Sequence, residues 1–177
     1  NWSNPFIPKN KRFNIEWIKI EDYDPDDDTV RVEGSEKGAT QFARGEGITS
    51  DGESIYVACT SGGSIKKGQI WKITPISQKQ STIELWYEVN VDNNINMPDN
   101  IAIAPWGDLI VCEDNSETNR LWGINTNGGS YLIAENNYNG AEFAGVCFSS
   151  IDGTMFVNLQ QNGLTLSVTG NWDEVLI

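Results

Sequence analysis

The chain of 177 residues contains no histidine. That absence excludes Ser-His-Asp and Cys-His triads and the usual zinc-hydrolase ligand sets. Hydrolytic chemistry here has to run through carboxylates, Arg, Lys or metal-bound water. Cysteine is scarce: Cys59, Cys112 and Cys147 form no CxxC pair and leave an odd thiol over. All three lie inside apolar, strand-like runs, which predicts buried free thiols rather than ligands or disulfides. Positive charge is in short supply, with 12 Lys and Arg against 25 Asp and Glu and a net charge of −13. Nucleic-acid binding needs a basic footprint, which this balance argues against; bound cations, or plain solubility, are compatible with it. No apolar run approaches the ~20 residues of a membrane span, and none resembles the hydrophobic stretch of a signal peptide. The first residue is Asn1 rather than Met, so we expect something upstream (a signal peptide, a tag or more protein) to have been removed.

What is present points to β-structure. Trp and Gly are plentiful, at 7 and 17, among many short runs of Val, Ile, Tyr and Phe. Asn1–Asn10, with Pro5 and Pro8, reads as an extended arm, and Phe13–Ile20 alternates like a strand. Glu21–Thr29, EDYDPDDDT, concentrates carboxylates at a spacing similar to a calcium loop. It lacks the Gly and distal Glu of an EF-hand and reads as a solvated acidic turn.

A repeat then emerges. GITSDGESIYVACT, NIAIAPWGDLIVCED and GVCFSSIDGTMFVNLQ share one plan: an apolar strand, a turn with Gly52, Gly107 or Gly153, and a second apolar strand. Between the copies lie further strand candidates at Gly68–Thr74, Ile83–Val89, Arg120–Asn125 and Ser130–Ala134. Four short strands per roughly 40–50 residues is the arithmetic of a β-propeller blade. Parallel β-α units are disfavoured because no segment sustains a helical period. The predicted fold is therefore an all-β, partial β-propeller domain over 1–177. Within it, 1–40 is an arm and incomplete blade, and 41–97, 98–141 and 142–177 are blade-like repeats. These supply roughly three to four blades, whereas closed propellers have about four to eight. An open fan exposes sheet edges, so a partner is expected: a missing N-terminal half or a second chain.

The richest stretch is Gln41–Thr60, QFARGEGITSDGESIYVACT. Arg44 and Glu46 stand two apart, a spacing that aims both at one face of an extended chain. The next copies are entered through Pro98-Asp99-Asn100 and through Glu142 ahead of Ala144-Gly145. Acids recurring at one blade position converge on a propeller's channel, where oxygen donors suit Ca²⁺. Glu113, Asp114 and Asn115 follow the second strand of the middle copy. Asp99, Asn100 and Asp114 equally suit Asx turns.

Gln41–Gly47, the Pro98–Asn100 entry, Cys112–Asn115 and Glu142–Trp172 together resemble the C-terminal half of PhoX-type alkaline phosphatases, a group of six-bladed propellers. The resemblance runs from about residue 24 onward. It is most specific where EFAG, a Gly-turn strand, NxQ and T-G-x-W follow in order. It implies a calcium- and iron-containing site that hydrolyses phosphate monoesters, in a protein usually exported to the periplasm or secreted. Carried over by motif, Glu46 and Glu142 would be metal ligands, with Asp99, Asn100, Glu113 and Asp114 as further candidates. Arg44 would hold the substrate phosphate.

The sequence departs from the pattern at Gly45, where the family often has Pro, and in the turn Ser150-Ile151-Asp152-Gly153. It departs again at Asn162-Gly163 and at Asn171 before Trp172. The family's cysteine iron ligand falls in the half outside this chain, and none of the three cysteines replaces it. Alone, the chain is expected to hold an incomplete site. Two other readings remain: a non-catalytic, calcium-stabilised propeller binding module, and a calcium-dependent lactonase-like hydrolase.

Overall fold

Twelve strands pair into three antiparallel meanders in a computed structural model that describes residues 7–92 and 95–175. Positions 1–6 of the expected arm lie outside the described residues. The first sheet contains β1 (Arg12–Glu16), β2 (Gly45–Ser50), β3 (Ile55–Cys59), β4 (Gln69–Pro75) and β5 (Gln80–Glu88), in the order β1-β5-β4-β3-β2. The second runs in chain order through β6 (Pro98–Ile103), β7 (Leu109–Glu113), β8 (Arg120–Ile124) and β9 (Ser130–Glu135). The third is β10 (Phe143–Phe148), β11 (Met155–Leu159) and β12 (Leu164–Val168). The all-β expectation holds. Among the described residues, a single seven-residue α-helix, α1 (Val30–Glu36), is too short to show a period in sequence. It organises the acidic turn before it: Glu33 accepts the backbone N–H groups of Glu21 and Asp22 at 2.8 and 3.3 Å.

The middle sheet is buried on both faces, which explains the unbroken apolar run of β7. Its alternate residues go opposite ways. Leu109 and Val111 pack with Ile101, Trp122 and Ile124 against Tyr56, Ala58, Ile70 and Tyr87 of the first sheet. Ile110 and Cys112 pack with Leu121 against Val146, Met155, Val157 and Leu159 of the third. The first strands of the sheets consequently lie side by side, β2 beside β6 and β6 beside β10. Gly52 and Gly107 turn β2 into β3 and β6 into β7 with φ of 93° and 95°, a region that favours glycine.

One expectation about the cysteines is corrected. Cys59 and Cys112 are buried free thiols, but Cys147 is exposed. Strand alternation is the reason: Val146 takes the face toward the second sheet, so Cys147 and its cross-strand partner Phe156 turn to the other.

Candidate active site

Each of the three first strands carries a register shift: between Gly45 and Ile48, Pro98 and Ile101, and Ala144 and Cys147. An extra residue there bends the strand and re-aims side chains. Aligned on these bulges, Glu46 and Asp99 occupy the same position. The third copy has Gly145 at that position. Glu142 instead enters from just before β10, so the expected recurrence of acids is true of two copies and not of the third.

Contacts between bulges set the spacing. At Gly47 a Cβ would overlap the carbonyl oxygen of Asp99 and lie 2.9 Å from the Ile101 nitrogen. Only a glycine lets β2 come this close to the β6 backbone, which puts Glu46 beside Asp99. Asn100 stands where the first copy has Gly47, and its Oδ1 accepts the Val146 N–H at 2.9 Å. It pins β6 to β10, and its ligand oxygen is engaged in doing so.

Arg44 and Glu46 meet, though not by strand alternation. Arg44 lies just before β2 with φ of 50°, a costly conformation for a non-glycine residue and one that collects at functional sites. Its Nη2 donates to Asp114 Oδ2 at 2.9 Å and to Glu46 Oε1 at 3.4 Å. The Asp114 hydrogen bond is the main influence holding the guanidinium charge more firmly than usual. With the Arg44 side chain 43% exposed, such pairs stabilise by only about 0.2–1 kcal/mol each. Arg44 is thus easily released to an incoming anion.

Asp99 and Glu142 complete the cluster electrostatically. Burial, then the charges of Asp114, Asp99 and Glu46, push the Glu142 carboxyl up to about 7, with Arg44 opposing. Asp99 is raised by burial first and by Glu46 and Asp114 next. Four carboxylates therefore share a region with one arginine. Glu113 stands apart. It is fully buried and accepts the Asn96 N–H at 2.7 Å and Trp122 Nε1 at 2.8 Å. Asn115 Nδ2 at 3.3 Å and Arg120 Nη1 at 3.9 Å hold its other oxygen. Those partners make it a brace at the end of β7, beside Asp114.

The donor chemistry of Glu46, Asp99, Asp114 and Glu142 fits a hard cation. Its charge would relieve the repulsion that raises Asp99 and Glu142. Among the described residues no three His, Cys, Asp or Glu are grouped to hold one metal ion. The EDYDPDDDT turn supplies no such group either.

Fold and site together define an all-β protein of stacked antiparallel meanders, with an acidic, arginine-bearing centre where their first strands meet. The chain belongs to the PhoX alkaline phosphatase family, whose model, alkaline phosphatase PhoX, matches residues 7–163. No curated protein matches the chain in direct sequence comparison.

Three contributors escape a reading of the sequence. Gly47 was visible as the last residue of RGEG, but the need for a bare Cα shows only once β6 is beside it. Met97 takes φ of 56° where the chain enters β6. The loop TSGGSIKKG between β3 and β4 reaches the same entry: Met97 N–H donates to Lys67 O at 2.7 Å. Its adjacent lysines, flanked by glycines in an acidic chain, were the available signal.

Proposed function

We propose that this chain supplies part of the active site of a metal-dependent phosphomonoester hydrolase, exported from the cell. The observation that carries the reading is Arg44, loosely held by Asp114 and Glu46 where the first strands of the sheets meet. Its planar fork matches two phosphoryl oxygens. Glu46, Glu142, Asp99 and Asp114 would hold calcium and iron, with the remaining ligands coming from the rest of a six-bladed ring. A bound cation would polarise the phosphoryl group and activate an oxygen nucleophile. Asn100 and Glu113 keep the strands in place rather than binding metal.

The ring itself, completed by an N-terminal half or a second chain, is supported by apolar residues exposed at both ends of the stack. Trp17, Phe42 and Ile48 are uncovered on the first sheet's side, and Phe156 on the third's. Among the described residues no helix is long and apolar enough to cross a membrane.

In the full-length, metal-loaded protein, Arg44→Ala should lower kcat/KM for p-nitrophenyl phosphate by about 10²–10³-fold, the scale of losing one charge-stabilising donor. Metal content should stay unchanged. Activity within tenfold of wild type would show that Arg44 does not bind the phosphate. The second reading is a non-catalytic, calcium-stabilised module, in which the four carboxylates help to hold calcium and Arg44 binds no phosphate. Elemental analysis separates the two: iron together with calcium supports the hydrolase, and calcium alone supports the module.

A further inference from the structure

We infer that Gln161 is a positioning residue that aims Glu142 at a bound cation, an inference that rests on the metal-dependent reading of the site. Glu142 needs such a partner because its copy of the repeat does not place an acid as the other two do. Glu46 and Asp99 stand on strand bulges, which re-aim their side chains. The equivalent position in β10 is Gly145, with φ of 64°, and a Cβ there would lie 2.7 Å from Asn158 Nδ2. Asn158 is itself held, its Oδ1 accepting Thr165 Oγ1 at 2.7 Å. The acid of the third copy therefore comes from the loop ahead of β10, outside the ladder that begins at Phe143.

Both backbone polar groups of Glu142 are gripped from one place. Its N–H donates to Gln161 Oε1 at 3.0 Å, and its carbonyl accepts the Gln160 N–H at 3.0 Å. Gln160 and Gln161 open the one-turn 3₁₀ helix Gln160–Asn162, which directly follows β11 and ends on Gly163 with φ of 60°. Asn162 widens the grip on the same loop. Its Oδ1 accepts Asn139 Nδ2 at 2.6 Å, and Asn139 Oδ1 accepts the Ala141 N–H at 3.0 Å.

The carboxylate of Glu142 has no hydrogen-bond donor of its own among the described residues; it faces the charges of Asp114, Asp99, Arg44 and Glu46. A side chain without an anchor points where its backbone and a few staggered rotamers send it. The two backbone bonds therefore decide where the carboxylate lies. The bond from Gln160 is main chain and survives any substitution. The bond to Gln161 is made by an exposed side chain, so it can be removed without opening the core.

The test is titration calorimetry on the full-length protein after chelation, with calcium as the only added metal. Gln161→Met keeps the bulk and deletes the acceptor. It should weaken calcium binding about three- to tenfold, the scale of one net hydrogen bond. Glu142→Gln removes the charge and should weaken binding more. The double variant should bind no more weakly than Glu142→Gln, because Gln161 acts through that carboxylate. Gln161→Glu keeps an acceptor at the same reach and should bind at least as tightly as wild type. Amide exchange at Glu142 reads the grip directly: it should quicken in Gln161→Met and not in Gln161→Glu.

Unchanged calcium affinity or unchanged Glu142 exchange in Gln161→Met overturns the inference. So does an additive double variant, in which Gln161 would act on the fold at large. Unchanged affinity in Glu142→Gln is a different failure: it removes Glu142 as a ligand, and with it the reading on which the role of Gln161 depends.

Discussion

Two raised carboxyls show how one residue type serves different ends in this chain. Glu113 is raised chiefly by burial but surrounded by donors, so it braces β7 and β8. Glu142 is raised to about 7 by burial and three neighbouring carboxylates, with Arg44 as the opposing charge. Its stability consequence has a definite sign. Between the ordinary 4.5 and about 7, folded Glu142 keeps a proton that the unfolded chain has released. Stability therefore falls as pH rises through that window, and the loss is complete above it. Metal-free wild type should melt progressively lower from pH 4.5 to pH 8. Glu142→Gln should flatten that part of the slope and melt higher than wild type at pH 8. A cation bound at the cluster should restore wild-type stability most at alkaline pH. Thermal melts with chelator, then with added calcium, check both expectations; a wild-type slope retained in Glu142→Gln would remove Glu142 as its source.

At the scale of elements, the three bulges decide which side chains meet. Gly47→Ala places a methyl group against backbone atoms of Asp99 and Ile101, which cannot rotate away. Overpacking of this kind costs about 1–3 kcal/mol. Denaturant melts should show that loss, and activity should fall as Glu46 is moved from Asp99; a neutral substitution would mean that β2 has room to retreat. This contact also marks where the sequence stops being legible. The strand–Gly–strand plan could be read because Gly52, Gly107 and Gly153 punctuate alternating apolar runs. β7 could be read because burial on both faces leaves no polar gap. The convergence of Arg44 with Asp114, 70 positions on, could be sensed only as recurring polar entries. Bulge register could not be read at all: the extra residue is invisible without the partner strand. That is why Glu142 seemed equivalent to Glu46 and Asp99. Arg44 and Glu46 came together for a reason other than alternation, through a left-handed residue ahead of the strand.

For the whole molecule, the question is what covers the two ends of the stack. The middle sheet shows what a sheet in this protein looks like when both faces are covered: β7 is buried at every position. The third sheet has one covered face. Cys147 and Phe156 are exposed on the other, and Leu164 and Leu166 are exposed along β12, beyond which no strand pairs among the described residues. Open edges and apolar faces of this kind invite pairing with further chain. Cys147 makes the proposed ring measurable. In the 177-residue chain alone, one thiol should react quickly with a maleimide, while Cys59 and Cys112 react only on unfolding. Burial pushes the Cys59 thiol up to about 12, which further suppresses the reactive thiolate there. In the full-length protein, a further blade packed on the third sheet should slow Cys147 by orders of magnitude, and chelation of metal should not release it. If Cys147 reacts equally fast in both, the third sheet ends the stack, and the missing ligands must come from beside the first sheet or from a second chain.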